Sequence, residues 1–300
     1  MKLENRKLEG LIACPNCKLP LLKMDQEEIK CGGCGERYRL LFGIPLLIKR
    51  DSPIFEWYKP ETGSQQATVG RLAPLMKLYW LLRPEARVWT RASQNALQGL
   101  LDKVHSGSDS NIVLIGAGFE KVYQRILKPY RDIIRIGLAT RGEVDLFSDI
   151  CEIPLRADTI DLIFSSSVLE HVYNPEEAVK EMFRVIKPGG YVYAEIPFMR
   201  AYHMIPVDYQ RYTISGIEEL FKRHGFKLIR KGVCSGPFNA LALFFMDFIS
   251  GLFSFNRYIK AIVTLVLSIV LHPIKYLDRF VENSTWAEIN ACNFYYIGQK

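Results

Sequence analysis

No uninterrupted apolar run of about 20 residues occurs in this chain of 300 residues, so a standard membrane-spanning helix is not expected. The opening MKLENRKLEG is charged and polar with no apolar core segment, so no secretory leader is expected either. Neither sign of charge dominates: 39 Lys and Arg stand against 32 Asp and Glu, a formal +7. That balance permits contact with phosphates or an anionic surface but does not require it. There is no basic stripe with interleaved aromatics, which makes nucleic acid the less favoured partner. There is no internal repeat. Cysteines number seven, an odd count that argues against a disulfide framework. Four of them sit in tight pairs. In a chain with no leader this points to metal binding in a reducing, cytoplasmic compartment. The 49% hydrophobic and 24% charged composition is that of an ordinary folded protein.

Three segments separate along the chain: 1–50, punctuated by Cys and Gly and β-like; a helical connector over 51–110, broken near Pro84; and 111–300, which carries an apolar helical insert at 235–291. In the third segment, strands are predicted at Asn111–Ile115, Ile133–Leu138, Val144–Phe147, Ile160–Ser165, Tyr191–Ile196 and Phe226–Val233, with a closing CNFYYIG. Helices are predicted over Pro175–Ile186, with Asn174 as N-cap and Pro175 in the first turn, and over Ile214–His224, closed by Gly225. Strands and helices alternating at this spacing make a doubly wound, mostly parallel α/β sheet.

Cys14-Pro-Asn-Cys17 and Cys31-Gly-Gly-Cys34 are two C-x-x-C pairs joined by a short hairpin. Each pair brings two sulfurs to one tight turn, which is what tetrahedral thiolate zinc needs, and a set with no open position is structural. The alternative is a pair of redox dithiols. Thiolate zinc would lower the net charge to about +5. With the closing Tyr38…Gly43-Ile44-Pro45-Leu46-Leu47, this segment resembles the small zinc-ribbon activators of methyltransferases. The resemblance implies a ribbon that supports a methyltransferase by strand pairing and apolar contact, here fused in one chain.

Gly116-Ala117-Gly118 follows the first strand of the third segment, where a nucleotide-type cofactor needs close backbone approach. Behind it come Asp149-Ile150, Asp161-Leu-Ile-Phe-Ser165-Ser166, Val168-Leu-Glu170-His171, Asn174-Pro175 and Arg184…Pro188-Gly189-Gly190. This ordered series resembles the type-11 class I S-adenosylmethionine (SAM)-dependent methyltransferases and implies their seven-stranded sheet. By that resemblance Gly116, Ala117 and Gly118 bind SAM, Asp149 bonds the adenine amino group, Ile150 lies on the ring, and Ser165 and Ser166 sit under the methionine part. Glu170 and His171 face cofactor or substrate. Asp149 as a turn residue, and Glu170 and His171 as helix-end and packing residues, are the structural alternatives. Asp161 and Arg184 read as structural. The sequence departs from the family at Leu114, Glu120 and Gly137. At Gly137 the usual ribose-binding carboxylate is missing, and Glu120, Glu143 and Asp145 are the nearest replacements.

After the fifth strand, His203, Asp208, Tyr209 and Arg211 crowd one loop in a pattern that resembles methyltransferases of polysaccharide and glycolipid biosynthesis. His203 or Asp208 is the candidate base, and Arg211 with Tyr209 the candidate acceptor site; an Asp208–Arg211 staple is the structural alternative. The apolar stretches Phe238–Phe255 and Tyr258–Leu271 are either helices covering the sheet, a homodimer face, or an interfacial membrane hairpin. Lys222, Arg223, Lys227, Arg230 and Lys231 flank them on the basic side. The expected activity is O-methylation of a sugar, a lipid-linked glycan or another small acceptor, by a cytoplasmic protein that rests at the inner membrane face if the hairpin is interfacial. An rRNA or tRNA methyltransferase and a non-catalytic scaffold of the same fold are the alternatives.

Overall fold

The computed structural model describes residues 8, 10–21, 28–55, 90–105, 110–116, 124–127, 129–130, 133–138, 144–202 and 207–300. Its spine is one ten-stranded sheet. The strands are β1 (Glu28–Lys30), β2 (Arg37–Leu41), β3 (Ile44–Leu47), β4 (Ile112–Ile115), β5 (Ile133–Gly137), β6 (Leu146–Ser148), β7 (Ile160–Ser166), β8 (Ile186–Pro197), β9 (Lys227–Ser235) and β10 (Asn293–Gln299). Their order across the sheet is β1-β2-β3-β6-β5-β4-β7-β8-β10-β9. Neighbours from β3 through β8 run parallel, while β10 is antiparallel to both β8 and β9. The expected seven-stranded sheet is therefore present as β4–β10, with the last strand slotted between β8 and β9.

The ribbon joins the sheet by strand pairing, as the resemblance to the activator ribbons implied. Leu46 pairs with Phe147 and Leu47 with Ser148 in parallel. The reason is local: Ile44-Pro45-Leu46-Leu47 is apolar without alternation and buried over its last three residues, the pattern of a strand covered on both faces. The ribbon is fastened at further points. Ala13 N–H donates to Pro154 O at 2.9 Å and Arg156 N–H to Leu11 O at 2.8 Å. Lys18 Nζ meets Glu181 at 2.9 Å, and Lys49 pairs with Glu152. Burial works against the Glu181 charge, but Arg184 and Lys18 overcome it and hold the carboxyl below its usual range.

Helices cover both faces. Helix α1 (Arg91–His105) lays Leu97 and Leu101 among Ile112, Leu114, Phe164 and Tyr193. It belongs to the core of the sheet, so the connector expected over 51–110 ends before it; residues 56–89, including Pro84, lie outside the described residues. On the other face, α2 (Pro175–Val185) and α3 (Ile214–Arg223) bury Val179, Met182, Ile217 and Phe221 against Val113, Ile163 and Val192. The expected caps form: Asn174 accepts from Glu177 N and Thr213 from Gly216 N. Helix α2 passes directly into β8 at Ile186. There Gly190 is required by space, since a Cβ would lie 2.8 Å from Ile186 Cγ2 and 3.0 Å from Asp161 O. Asp161 and Arg184 are structural, as expected: Asp161 accepts from Asn111 N and Lys187 Nζ, and Arg184 clamps Glu181 and the carbonyls of Ile153 and Leu155. The insert folds as α4 (Pro237–Gly251) and α5 (Arg257–Leu271), followed by short turns that return to β10.

Candidate active site and metal centre

The four ribbon sulfurs, those of Cys14, Cys17, Cys31 and Cys34, lie within 4.8 Å of one another. Cys14 and Cys34 Sγ are 3.6 Å apart and Cys17 and Cys31 Sγ 3.5 Å. At a zinc–sulfur distance of about 2.3 Å, tetrahedral thiolates stand roughly 3.8 Å apart, so the donor set fits a closed zinc site. Gly35 supplies the left-handed turn, at φ +77°, that folds the second knuckle. Tyr38 backs the cluster, its hydroxyl 3.1 Å from Cys14 Sγ.

The carboxyl ends of β4, β6, β7 and β8 share one end of the sheet. Gly116 closes β4 at φ +88°, and a Cβ there would lie 2.4 Å from Val168 Cγ2. Glycine is needed at this point to let the chain pass under Val168, whatever else it admits. Ala117 and Gly118 lie outside the described residues, as do Glu120 and Glu143. Asp149 follows β6 and caps the turn Ile150–Glu152: its Oδ1 accepts from Cys151 N at 2.9 Å. Its Oδ2 accepts from Ser52 Oγ at 2.7 Å and, more loosely, from Tyr173 OH at 3.3 Å. Asp149 thus makes the turn, and a carboxylate has room for about four hydrogen bonds. Ile150 is buried beside it. On the ribose side no replacement forms among the described residues. Asp145 accepts from Arg135 N at 2.8 Å and so reinforces the β5–β6 edge, and Gly137 is a buried strand end. A carboxylate and an apolar side chain thus stand together after β6, and among the described residues no carboxylate stands at the end of β5.

Ser165 is buried at the end of β7, and Ser166 Oγ donates to Glu195 Oε2 at 2.9 Å. Glu195, not foreseen from sequence, is buried in β8 and also takes Tyr193 OH at 2.9 Å and Cys234 Sγ at 3.1 Å. Burial first, and then the Glu195 carboxylate, push the Cys234 thiol well up, so it stays protonated. The one signal in the sequence was a lone carboxylate inside the apolar run YVYAEI.

Glu170 and His171 form the turn after β7. Glu170 is fully buried, and among the described residues neither carboxyl oxygen has a hydrogen-bond partner. Burial raises its pKa to about 8, against the pull of its own backbone and of Arg200 and Arg211. His171 Nδ1 lies 2.6 Å from Val207 O. A carbonyl accepts, so Nδ1 carries the proton and Nε2 the lone pair. Nε2 is 3.7 Å from Glu170 Oε1. Burial holds the imidazole below its ordinary pKa, so the ring is neutral at pH 7.

The acceptor loop departs from expectation. Asp208 is buried and grips Arg211 through both oxygens, and Arg211 also reaches Gln210 O and Ala201 O. This is the loop staple that the sequence offered as the structural alternative for Asp208 and Arg211. A carboxylate clamped by a guanidinium is a poor proton acceptor. Tyr209 is exposed, and its amide donates to Glu170 O at 2.8 Å. His203 lies outside the described residues.

Residues 137–194 match the methyltransferase domain family. Malonyl-[acyl-carrier protein] O-methyltransferase of Marinomonas sp. (strain MWYL1) is 44% identical over 45 residues, 15% of this chain and 17% of that protein. An uncharacterized 37.1 kDa protein in transposon TN4556 of Streptomyces fradiae is 33% identical over 102 residues, 34% of this chain and 28% of its own length. The chain thus spans less than a third of the curated relatives it matches. Among solved structures, the [4+2]-cyclase SpnF aligns over 76% of this chain and 92% of its own, with TM-score 0.45 and 14% identity.

Proposed function

We propose that the chain is a SAM-dependent methyltransferase that O-methylates a sugar hydroxyl, free or on a lipid-linked glycan. One observation carries the catalytic part of this reading: a buried carboxyl without a hydrogen-bond partner, Glu170, next to a neutral imidazole whose tautomer is fixed, His171. A buried orphan carboxyl costs a few kcal/mol, and such groups are concentrated where chemistry needs them.

Asp149 and Ile150 would hold the adenine, Gly116 and Ser165 the floor beneath the remainder. Bound SAM supplies an already activated methyl group, so the protein has to align the acceptor, exclude water and take one proton. His171 Nε2 accepts the hydroxyl proton as the oxygen forms its new bond to carbon. The Val207 carbonyl orients the ring through Nδ1–H and favours its protonated form. Glu170, kept protonated by burial, lies 3.7 Å from His171 Nε2 and is a polar neighbour of the resulting imidazolium, while the Asp208 carboxylate favours the charged ring. The ribbon, loaded with zinc on Cys14, Cys17, Cys31 and Cys34, holds β3 against β6 and Ser52 against Asp149.

A non-catalytic scaffold is the second reading. The use of Asp145 within the sheet and the approach of Val168 to Gly116 favour it. The test is transfer of labelled methyl from SAM to sugar and lipid-linked glycan acceptors by the full chain. His171→Ala is expected to slow transfer by about 10²–10⁴-fold with SAM affinity unchanged; turnover equal to wild type removes His171 from the role.

A further inference from the structure

We infer that the α4–α5 hairpin seats the protein on a lipid bilayer with the acceptor site beside the membrane, so that the acceptor is an amphiphile methylated on its head group. The docking stands on the hairpin alone; the acceptor class rests on the methyltransferase reading above.

The hairpin is apolar on its outer face as well as its inner one. Helix α4 buries Leu243 and Met246, packed with Leu267 and Leu271 of α5, together with Asn239, Ala240, Ala242 and Ser250, and turns Leu241, Phe244, Phe245 and Phe248 outward. The one fully buried residue of α5 is Ser268, whose hydroxyl bonds back to Thr264 O at 2.7 Å, while Ile262, Val266, Ile269 and Val270 are exposed. A helix built for water keeps its outer face polar. A helix pair that is apolar all round is suited to lipid. Large exposed apolar side chains gathered on two neighbouring helices mark an interaction surface.

Its dimensions and charges fit an interfacial position. The 15 residues of α5 rise about 22 Å, short of the roughly 30 Å of a hydrocarbon core. The wider run Arg257–Val281 has mean hydropathy 1.6, with 11% of its most apolar window buried. Yet its far end is anchored in the protein. Asp278 accepts from Gly236 N, Phe238 N and Asn239 N at 3.1, 2.8 and 3.2 Å and so pins the returning chain to the start of α4. That anchor leaves α4 and α5 to lie in the interface rather than cross. Exposed Arg257 and Lys260 at the start of α5 suit anionic head groups. Of the flanking basic residues, Arg223 and Lys231 are paired instead with Glu176 and Glu218.

The hairpin also lies at the right end of the sheet. Both β8 and β9 are antiparallel to β10, so they point the same way, and Asn293 at the start of β10 pairs with Pro197 and Ser235 at their ends. The hairpin leaves from Gly236, directly after β9, on the edge that carries Gly116 and Ser166. Phe198 N–H donates to Cys292 O at 2.8 Å and Met199 N–H to Ala291 O at 3.2 Å, which ties the acceptor loop to the end of the insert.

The test is flotation of the zinc-loaded full chain with phosphatidylcholine vesicles, with and without phosphatidylglycerol. The chain is expected to float, more completely with the anionic lipid. Phe248→Glu and Ile262→Glu, at positions 58% and 62% exposed in the fold, are each expected to lower partitioning roughly tenfold or more. Calorimetry with SAM on the same variants should match wild type, which separates a failure of docking from a failure of the methyltransferase reading. With docking lost, transfer to an amphiphilic acceptor in the vesicle is expected to fall while transfer to a soluble head-group analogue holds; equal loss on both contradicts the acceptor class. A wild-type chain that stays below the vesicles overturns docking, as does a lipid-free dimer that the two substitutions dissociate.

Discussion

Replacing Glu170 with Gln is expected to make the protein more stable at and above neutral pH and, at the same time, a slower catalyst. The two effects have one cause. Burial raises the Glu170 carboxyl from 4.5 to about 8, so the folded state holds its proton over a range in which the unfolded chain has released it. For a pKa raised on folding, the stability is fully present below the unfolded value and is lost as pH rises toward the folded one. Wild type should therefore lose stability between about pH 4.5 and 8 by a few kcal/mol. Gln carries no titrating proton and should be free of that slope. Denaturant titrations of both proteins from pH 5 to 9 read the difference directly. On the catalytic side the carboxyl beside His171 Nε2 is replaced by an amide, which changes the hydrogen-bonding groups around the imidazolium, and a roughly tenfold slower methyl transfer is expected. A flat stability difference across that range would mean that Glu170 is solvated or paired in solution, and its assigned place in the site would fall with it.

Removing zinc is expected to have the largest effect on the fold. Thiolate zinc in small domains contributes on the order of 10 kcal/mol to folding, and here the ribbon is not a detachable bead. Its β3 is a parallel neighbour of β6, its Leu8, Ile12 and Leu47 share a core with Val113, Ile136 and Leu155, and Ser52 just beyond it bonds Asp149. Cys17→Ser or Cys34→Ser, or chelation, should lower the melting temperature by on the order of 10 °C or more. The disturbance should reach the carboxyl end of β6, where Asp149 loses Ser52. Metal analysis of the purified chain is expected to give one zinc per chain and none in the variants. A metal-free chain that melts at the wild-type temperature would contradict the account of the ribbon.

What the sequence disclosed and what it hid follow from the range of the interactions involved. The central strands were legible because NIVLI, IIRIGL and IDLIFS are buried runs bounded by turn residues. The start of α2 was legible because Asn174-Pro175 caps a helix by local chemistry. The cysteine cluster was legible because both knuckles are short. The pairing of β3 with β6 joins residues about a hundred positions apart; the apolar run of β3 marks a buried strand, but nothing local names β6 as its neighbour. The bonds Ser52–Asp149 and Ser166–Glu195 are of the same kind. The His171 tautomer depends on a backbone carbonyl, Val207 O, which leaves no trace in residue types. The Asp208–Arg211 pair lies three residues apart and was visible as one of two readings; the structure supplies its geometry. The apolar outer face of α4 and α5 had a sequence counterpart in their apolar length, but which side each helix turns outward is set by Leu243, Met246, Leu267 and Leu271 packing inward.

Calorimetric titration of the zinc-loaded full chain with SAM and with its demethylated product tests the central claim most directly. The account predicts one site per chain for each ligand, weakened about tenfold in Asp149→Asn, where the charge of the adenine acceptor is lost. The absence of heat with the intact, metal-loaded protein, or equal affinity in Asp149→Asn, would contradict it.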